Sequence, residues 1–106
     1  MTQKIYMIYI PVSNKEEAAA IANRIVSMRL AACANIIDNI TSVYWWEDKL
    51  QKEEEAVLIL KTKESLLEEL EGEIKKLHSS TCPCISVIPI IRANEEYVKW
   101  VNGETK

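Results

Sequence analysis

Residues 30–47, LAACANIIDNITSVYWWE, restrict the fold more than any other stretch of this chain. They pass from a helix end into a strand-forming run far longer than the usual strand of about 5–6 residues, and close on Tyr44, Trp45 and Trp46. A polar patch at 47–49 follows. Residues 54–62 then read as a returning strand, with Ala56, Leu58 and Leu60 alternating against Val57, Ile59 and Lys61. The outgoing strand is expected from about residue 32 to 46, bent near Asp38 and Asn39, which are poor strand formers but tolerate bulges and turns. Both parities of its distal half are apolar, Val43 and Trp45 on one side, Tyr44 and Trp46 on the other. A sheet covered on one face should show a polar outer face. A hairpin that is long and apolar on both faces is too large for so small a domain to cover, and the simplest cover is another copy of the same chain.

The remaining elements follow from local signals. Residues 5–10 form a short apolar run consistent with a buried strand, ended by Pro11. Residues 13–16 fit a capping box opening a helix whose inward stripe is Ala18, Ile21, Ala22, Ile25 and Met28. A second helix opens at 62–65 with the stripe Leu66, Leu67, Leu70, Ile74 and Leu77, and Gly72 on its exposed face. Residues 83–91 give a fourth strand, demoted in part to an edge by Pro89. Asn94 is placed to cap a last short helix at 95–101. Strand, helix, strand, strand, helix, strand and tail helix make one α+β domain over residues 1–106, on the ferredoxin-like (split βαβ) plan.

Composition closes several functional classes. A net charge of −3 with no long Lys/Arg cluster gives no driver for nucleic-acid binding. Two glycines, Gly72 and Gly103, cannot build a Walker loop or a dinucleotide fingerprint. One histidine, with no Ser/His/Asp or paired-carboxylate pattern, assembles no catalytic set, so an enzyme is not expected. No segment reaches the ~20 apolar residues of a membrane helix, and the N-terminal segment lacks the layout of a secretory signal. Three cysteines, an odd number, do not suggest a secreted disulfide framework. The expected setting is cytoplasmic.

The stretches LAACANII at 30–37, TSVYWWEDKLQKEEE at 41–55, ILKTK at 59–63 and NEEYVKW at 94–100 together resemble the CutA divalent-cation tolerance family, in order and over most of the chain. The resemblance implies a compact homotrimer of ferredoxin-like subunits whose hairpins pair across subunit edges, a link to divalent-metal tolerance, copper above all, and no established enzymatic activity. One departure stands out. Where the family reads H-P-Y-x-x-P-E, this chain reads HSSTCPC at 78–84. His78 and Pro83 match, while Ser79, Ser80 and Cys84 replace proline, tyrosine and glutamate. Ile10 stands where some members carry a cysteine.

Four residues are candidate soft-metal ligands: His78, Cys82, Cys84 and Cys33. On an extended backbone Cys82 and Cys84 point to one face with His78 nearby, a set suited to Cu(I) or Zn²⁺. Against this, Cys82 and Cys84 read as space-filling at a strand start, Cys33 as a small buried residue and His78 as a helix-end residue. Tyr44, Trp45 and Trp46 read as subunit-interface anchors. By analogy, Lys61, His78 and Glu95 are expected near an inter-subunit cleft. The functional reading is a trimer that binds or responds to metal ions, copper or another divalent ion. The rivals are a signalling trimer like the nitrogen-regulatory PII proteins, with a small ligand in its clefts, and a scaffold for an unidentified partner protein.

Overall fold

A computed structural model describes residues 4–106; the first three residues of the expected domain lie outside it. The chain forms β1 (Ile5–Val12), α1 (Lys15–Ser27), β2 (Cys33–Trp46), β3 (Lys49–Lys63), α2 (Leu67–Leu77) preceded by one 3-10 turn, β4 (Ser86–Pro89) and α3 (Glu95–Glu104). The sheet order is β2-β3-β1-β4 with every pairing antiparallel, as the split βαβ plan requires.

Alternation along β1 assigns the two faces of the sheet. Ile8, Ile10 and Val12 join Ala56, Leu58 and Leu60 of β3 beneath α1 and α2, packed on Ala18, Ile21, Ile25, Leu70 and Ile74. Fully burying each large aliphatic side chain contributes roughly 1.5–3 kcal/mol. Ile5, of the opposite parity, packs on Val98 and Val101 of α3, which covers one end of the other face. Farther along that face, Met7, Tyr9 and Ile59 are only half-buried.

Several boundaries differ from expectation for identifiable reasons. β1 does not stop before Pro11. A strand residue points its N–H and C=O to the same side, and the Pro11 C=O accepts from His78 rather than from a strand. The missing N–H therefore faces a side with no ladder to break, because β4 pairs only as far as Tyr9. The cap of α1 lies one residue later than expected. Asn14 Oδ1 accepts from Glu17 N–H at 2.8 Å, and Glu17, not Glu16, reaches back to Ser13 N–H at 3.0 Å. β4 is shorter than 83–91: it pairs with β1 only over Ser86–Pro89, with one further bond from Ile90 N–H to Ile5 C=O at 3.1 Å. α3 runs past Val101 to Glu104, and the Asn94 side chain donates to Glu96 instead of capping.

The long hairpin is as foreseen and longer still. Its register breaks between Ile37 and Ile40, with Asn39 at φ 56°, the expected bulge. β3 begins at Lys49 rather than 54, because residues 49–55 pair opposite 40–46 beyond the reach of the core. A two-residue turn closes it, Glu47 and Asp48 both lying at positive φ, 50° and 63°. The hairpin stretches the molecule to 48 × 25 × 22 Å and its radius of gyration to 14.4 Å, against about 13 Å for a compact chain of this length.

Candidate functional site

The C-terminal end of β1, the hairpin arm and the loop after α2 enclose a groove of ≈ 790 Å³. Ser42, Tyr44 and Trp46 of β2 share a sheet face with Gln51, Glu53 and Glu55 of β3 and form one wall. Residues 78–84 form the other, with Pro11 between them. Lost solvation, then the contact with Glu53 and the charges of Glu53 and Glu55, push the Tyr44 hydroxyl above its ordinary pKa.

The loop wall is fastened by hydrogen bonds at several points. His78 follows the last turn of α2, and its side chain is only 5% exposed. Its Nδ1 accepts from Ser80 N–H at 3.0 Å, so Nε2 carries the proton and donates to Pro11 C=O at 2.9 Å. Both ring nitrogens are thus engaged. Glu17 of α1 accepts from Ser79 N–H at 2.8 Å and from the Ser79 hydroxyl at 3.0 Å, and lies 4.0 Å from His78 Nδ1. Burial pushes the Glu17 carboxyl up. The backbone N–H groups of Ser79 and Ser13, the Ser79 hydroxyl and the His78 ring together outweigh that and hold it below the ordinary value. Cys82 N–H donates to Ser80 Oγ at 3.1 Å, closing a tight turn.

Cys82 and Cys84 are exposed free thiols on the groove wall, and Cys84 Sγ lies 3.4 Å from Ser86 Oγ. Cys33 is elsewhere. It sits at the start of β2 across from Lys61, half-buried and 3.5 Å from the Tyr97 hydroxyl. Burial, then Cys33, raise the pKa of that hydroxyl. The structure therefore places His78, Cys82 and Cys84 along one groove and leaves Cys33 apart. Among the described residues, no group of three or more His, Cys, Asp or Glu is arranged to hold an ion. The donors present suit a soft ion taking two thiolates better than a four-coordinate one.

The other expected residues fall on two surfaces. Tyr44, Trp45 and Trp46 are 36%, 72% and 45% exposed on the arm, joined by Val43 and Leu50. Lys61 donates to Asn35 Oδ1 at 3.0 Å, and Glu95 pairs with Lys99 at 3.3 Å at the start of α3. His78 touches Pro11, four residues along β1 from the Met7 that pairs with Lys61, a rise of ~13 Å. Glu17 was not anticipated. Its local signal is the spacing Asn14-x-x-Glu17, a capping pattern, but its partner Ser79 lies 62 residues away.

A four-stranded antiparallel sheet with a protruding hairpin and three helices defines the class of fold, and comparisons give the family. The model of the CutA1 divalent ion tolerance protein family matches residues 6–104, and the chain belongs to that family. It is 42% identical over 100 residues to a chloroplastic CutA 1 protein of Oryza sativa subsp. japonica. That match covers 94% of this chain and 56% of the rice protein, so the chain spans about half the length of that relative. It is also 42% identical over 95 residues to the divalent-cation tolerance protein CutA of Archaeoglobus fulgidus, covering 90% of this chain and 92% of the other. The crystal structure of CutA1 from Oryza sativa superposes with a TM-score of 0.95 at 41% identity, covering 99% of this chain and 96% of that one. The described residues contain no helix long and apolar enough to cross a membrane.

Proposed function

We propose that this chain is a metal-responsive binding protein that works as a homotrimer in the cytoplasm and handles copper ahead of other divalent ions. Family membership supports the link to divalent cations. The observation that carries the metal reading is a pair of exposed free thiols, Cys82 and Cys84, on a groove wall opposite Glu53 and Glu55, whose charges draw cations inward. Three free thiols fit a reducing compartment. The exposed apolar arm supports self-association, with Tyr44, Trp45 and Trp46 as anchors. Lys61 and Glu95 are assigned to a cleft between subunits, on the face that α3 leaves partly open. The reading is of a binding protein rather than an enzyme.

The test is equilibrium dialysis of the reduced protein against Cu(I), Cu(II) and Zn²⁺ under anaerobic conditions, with bound metal measured by elemental analysis. Saturable copper binding tighter than that of zinc is expected. Absence of saturable binding for every ion would refute the metal reading and move the signalling and scaffold readings ahead.

A further inference from the structure

We infer that Cys82 and Cys84 form a two-thiolate chelate for a single Cu(I) ion within one chain, and that His78 serves as the strut that shapes the loop rather than as a third ligand. The inference rests on the metal-binding reading above and adds to it the ion, its coordination and the division of labour among the residues.

Cys82 precedes Pro83, so steric clash with the ring disfavours helical geometry at Cys82 and directs it to extended or polyproline conformations. Pro83 fixes its own φ near −65°. Two residues of such chain span about 6–7 Å between Cα atoms, at the upper end of what a disulfide tolerates. A disulfide needs its sulfurs about 2.0 Å apart. A linear S–metal–S bridge holds them roughly two metal–sulfur bonds apart, about 4.6 Å on the bond length thiolates make with zinc. The Cys-Pro-Cys backbone therefore fits the bridge better than the bond. Both thiols are exposed on the groove wall of the single chain. Ser86 Oγ, 3.4 Å from Cys84 Sγ, is placed to donate to a bound thiolate.

The choice of ion follows from donor number. Zn²⁺ in a closed site takes four donors, and no cluster of three exists among the described residues. Cu(I) is soft, favours thiolate and is satisfied by two ligands in line. His78 is already committed. Its Nδ1 accepts from Ser80 N–H and its Nε2 donates to Pro11 C=O. Using either nitrogen as a ligand would break a bond that holds the loop. With Glu17 gripping Ser79 and Ser80 Oγ accepting from Cys82 N–H, the thiols sit on a segment already shaped before metal arrives. Binding is a simple exchange: two thiols release two protons, two Cu–S bonds form, and copper remains Cu(I).

The test is an anaerobic Cu(I) titration of the reduced protein in competition with a chromogenic Cu(I) chelator, following the ultraviolet thiolate-to-copper absorption and the protons released. It is run on the native chain, on Cys82→Ser/Cys84→Ser and on Cys33→Ser. Imidazole nitrogen signals are recorded by NMR before and after loading. The chain holds a single histidine and Cu(I) is diamagnetic, so these signals report His78 alone. The expected result is one Cu(I) per chain for the native protein and Cys33→Ser, loss of saturable binding in the double variant with its circular dichroism unchanged, and His78 signals that do not move. Binding unchanged in the double variant would overturn the chelate while leaving the metal reading intact. Half an equivalent per chain would overturn the single-chain site in favour of one shared between copies, and a coordination shift at His78 would overturn the two-donor set. No saturable binding in the native protein would defeat both readings together.

Discussion

Glu17 accepts from Ser13 N–H, Ser79 N–H and the Ser79 hydroxyl, and so ties the start of α1 to the loop that carries the thiols. Hydrogen bonds to an ionised group are worth about 1.5–3 kcal/mol each when net contributions are measured. Glu17→Gln is expected to cost about 2 kcal/mol at neutral pH, read from denaturant unfolding. The folded carboxyl titrates below its ordinary value of 4.5. Its contribution is therefore complete above that value and fades as pH falls through the depressed folded one. The gap between native and Glu17→Gln should narrow as pH drops below 4.5, and a gap that stays constant down to strong acid would rule out the ionised carboxylate as its source. In the sequence, the capping half of this arrangement is legible as an acid after a polar residue, with the pattern offset by one residue between Ser13-x-x-Glu16 and Asn14-x-x-Glu17. The other half is not, because no periodicity connects Glu17 to a serine beyond the second helix.

At the scale of elements, strand and helix types were readable wherever apolar residues repeat, and boundaries failed where other physics took over. Periodicity marks the second arm of the hairpin only over 54–62, because residues 49–53, KLQKE, carry no alternation. They are strand because β2 pairs with them, not because a core demands it. The turn itself lacks the usual signature. Two-residue hairpin turns of the mirror-image kind favour Asn-Gly, since both positions need positive φ, and here Glu47 and Asp48 occupy them. Left-handed geometry costs an L-residue roughly 1–2 kcal/mol. Glu47→Asn/Asp48→Gly should therefore raise stability by about 1 kcal/mol by thermal unfolding, with the near-ultraviolet spectrum of the arm tryptophans unchanged. A loss of stability would mean that the Glu47 or Asp48 side chain makes a contact worth more than the backbone strain.

For the whole molecule, the arm poses a problem of exposure that the core does not solve. Trp45, Leu50 and Val43 are 72%, 62% and 60% exposed, and among the described residues β2 has a strand neighbour on one side only. A long apolar edge is a template for pairing with another chain, and closing it between copies removes both liabilities. The exposure of the arm was legible from the sequence, because Val43 and Trp45 on one parity and Tyr44 and Trp46 on the other leave no polar face. Trp45 and Leu50 lie directly opposite each other. Trp45→Lys/Leu50→Glu replaces an apolar cross-strand pair by an opposite-charge pair, which preserves the hairpin while wetting its surface. Light scattering over a dilution series should give three times the 12.1 kDa chain mass for the native protein and the single-chain mass for the variant. Truncating a central interface anchor costs about 2 kcal/mol or more, roughly 30-fold in association for each anchor lost. Were these side chains merely solvent-facing, the exchange would move stability by no more than about 0.5 kcal/mol and leave the mass unchanged. A native protein that is monomeric across the series would instead require another occupant for the arm.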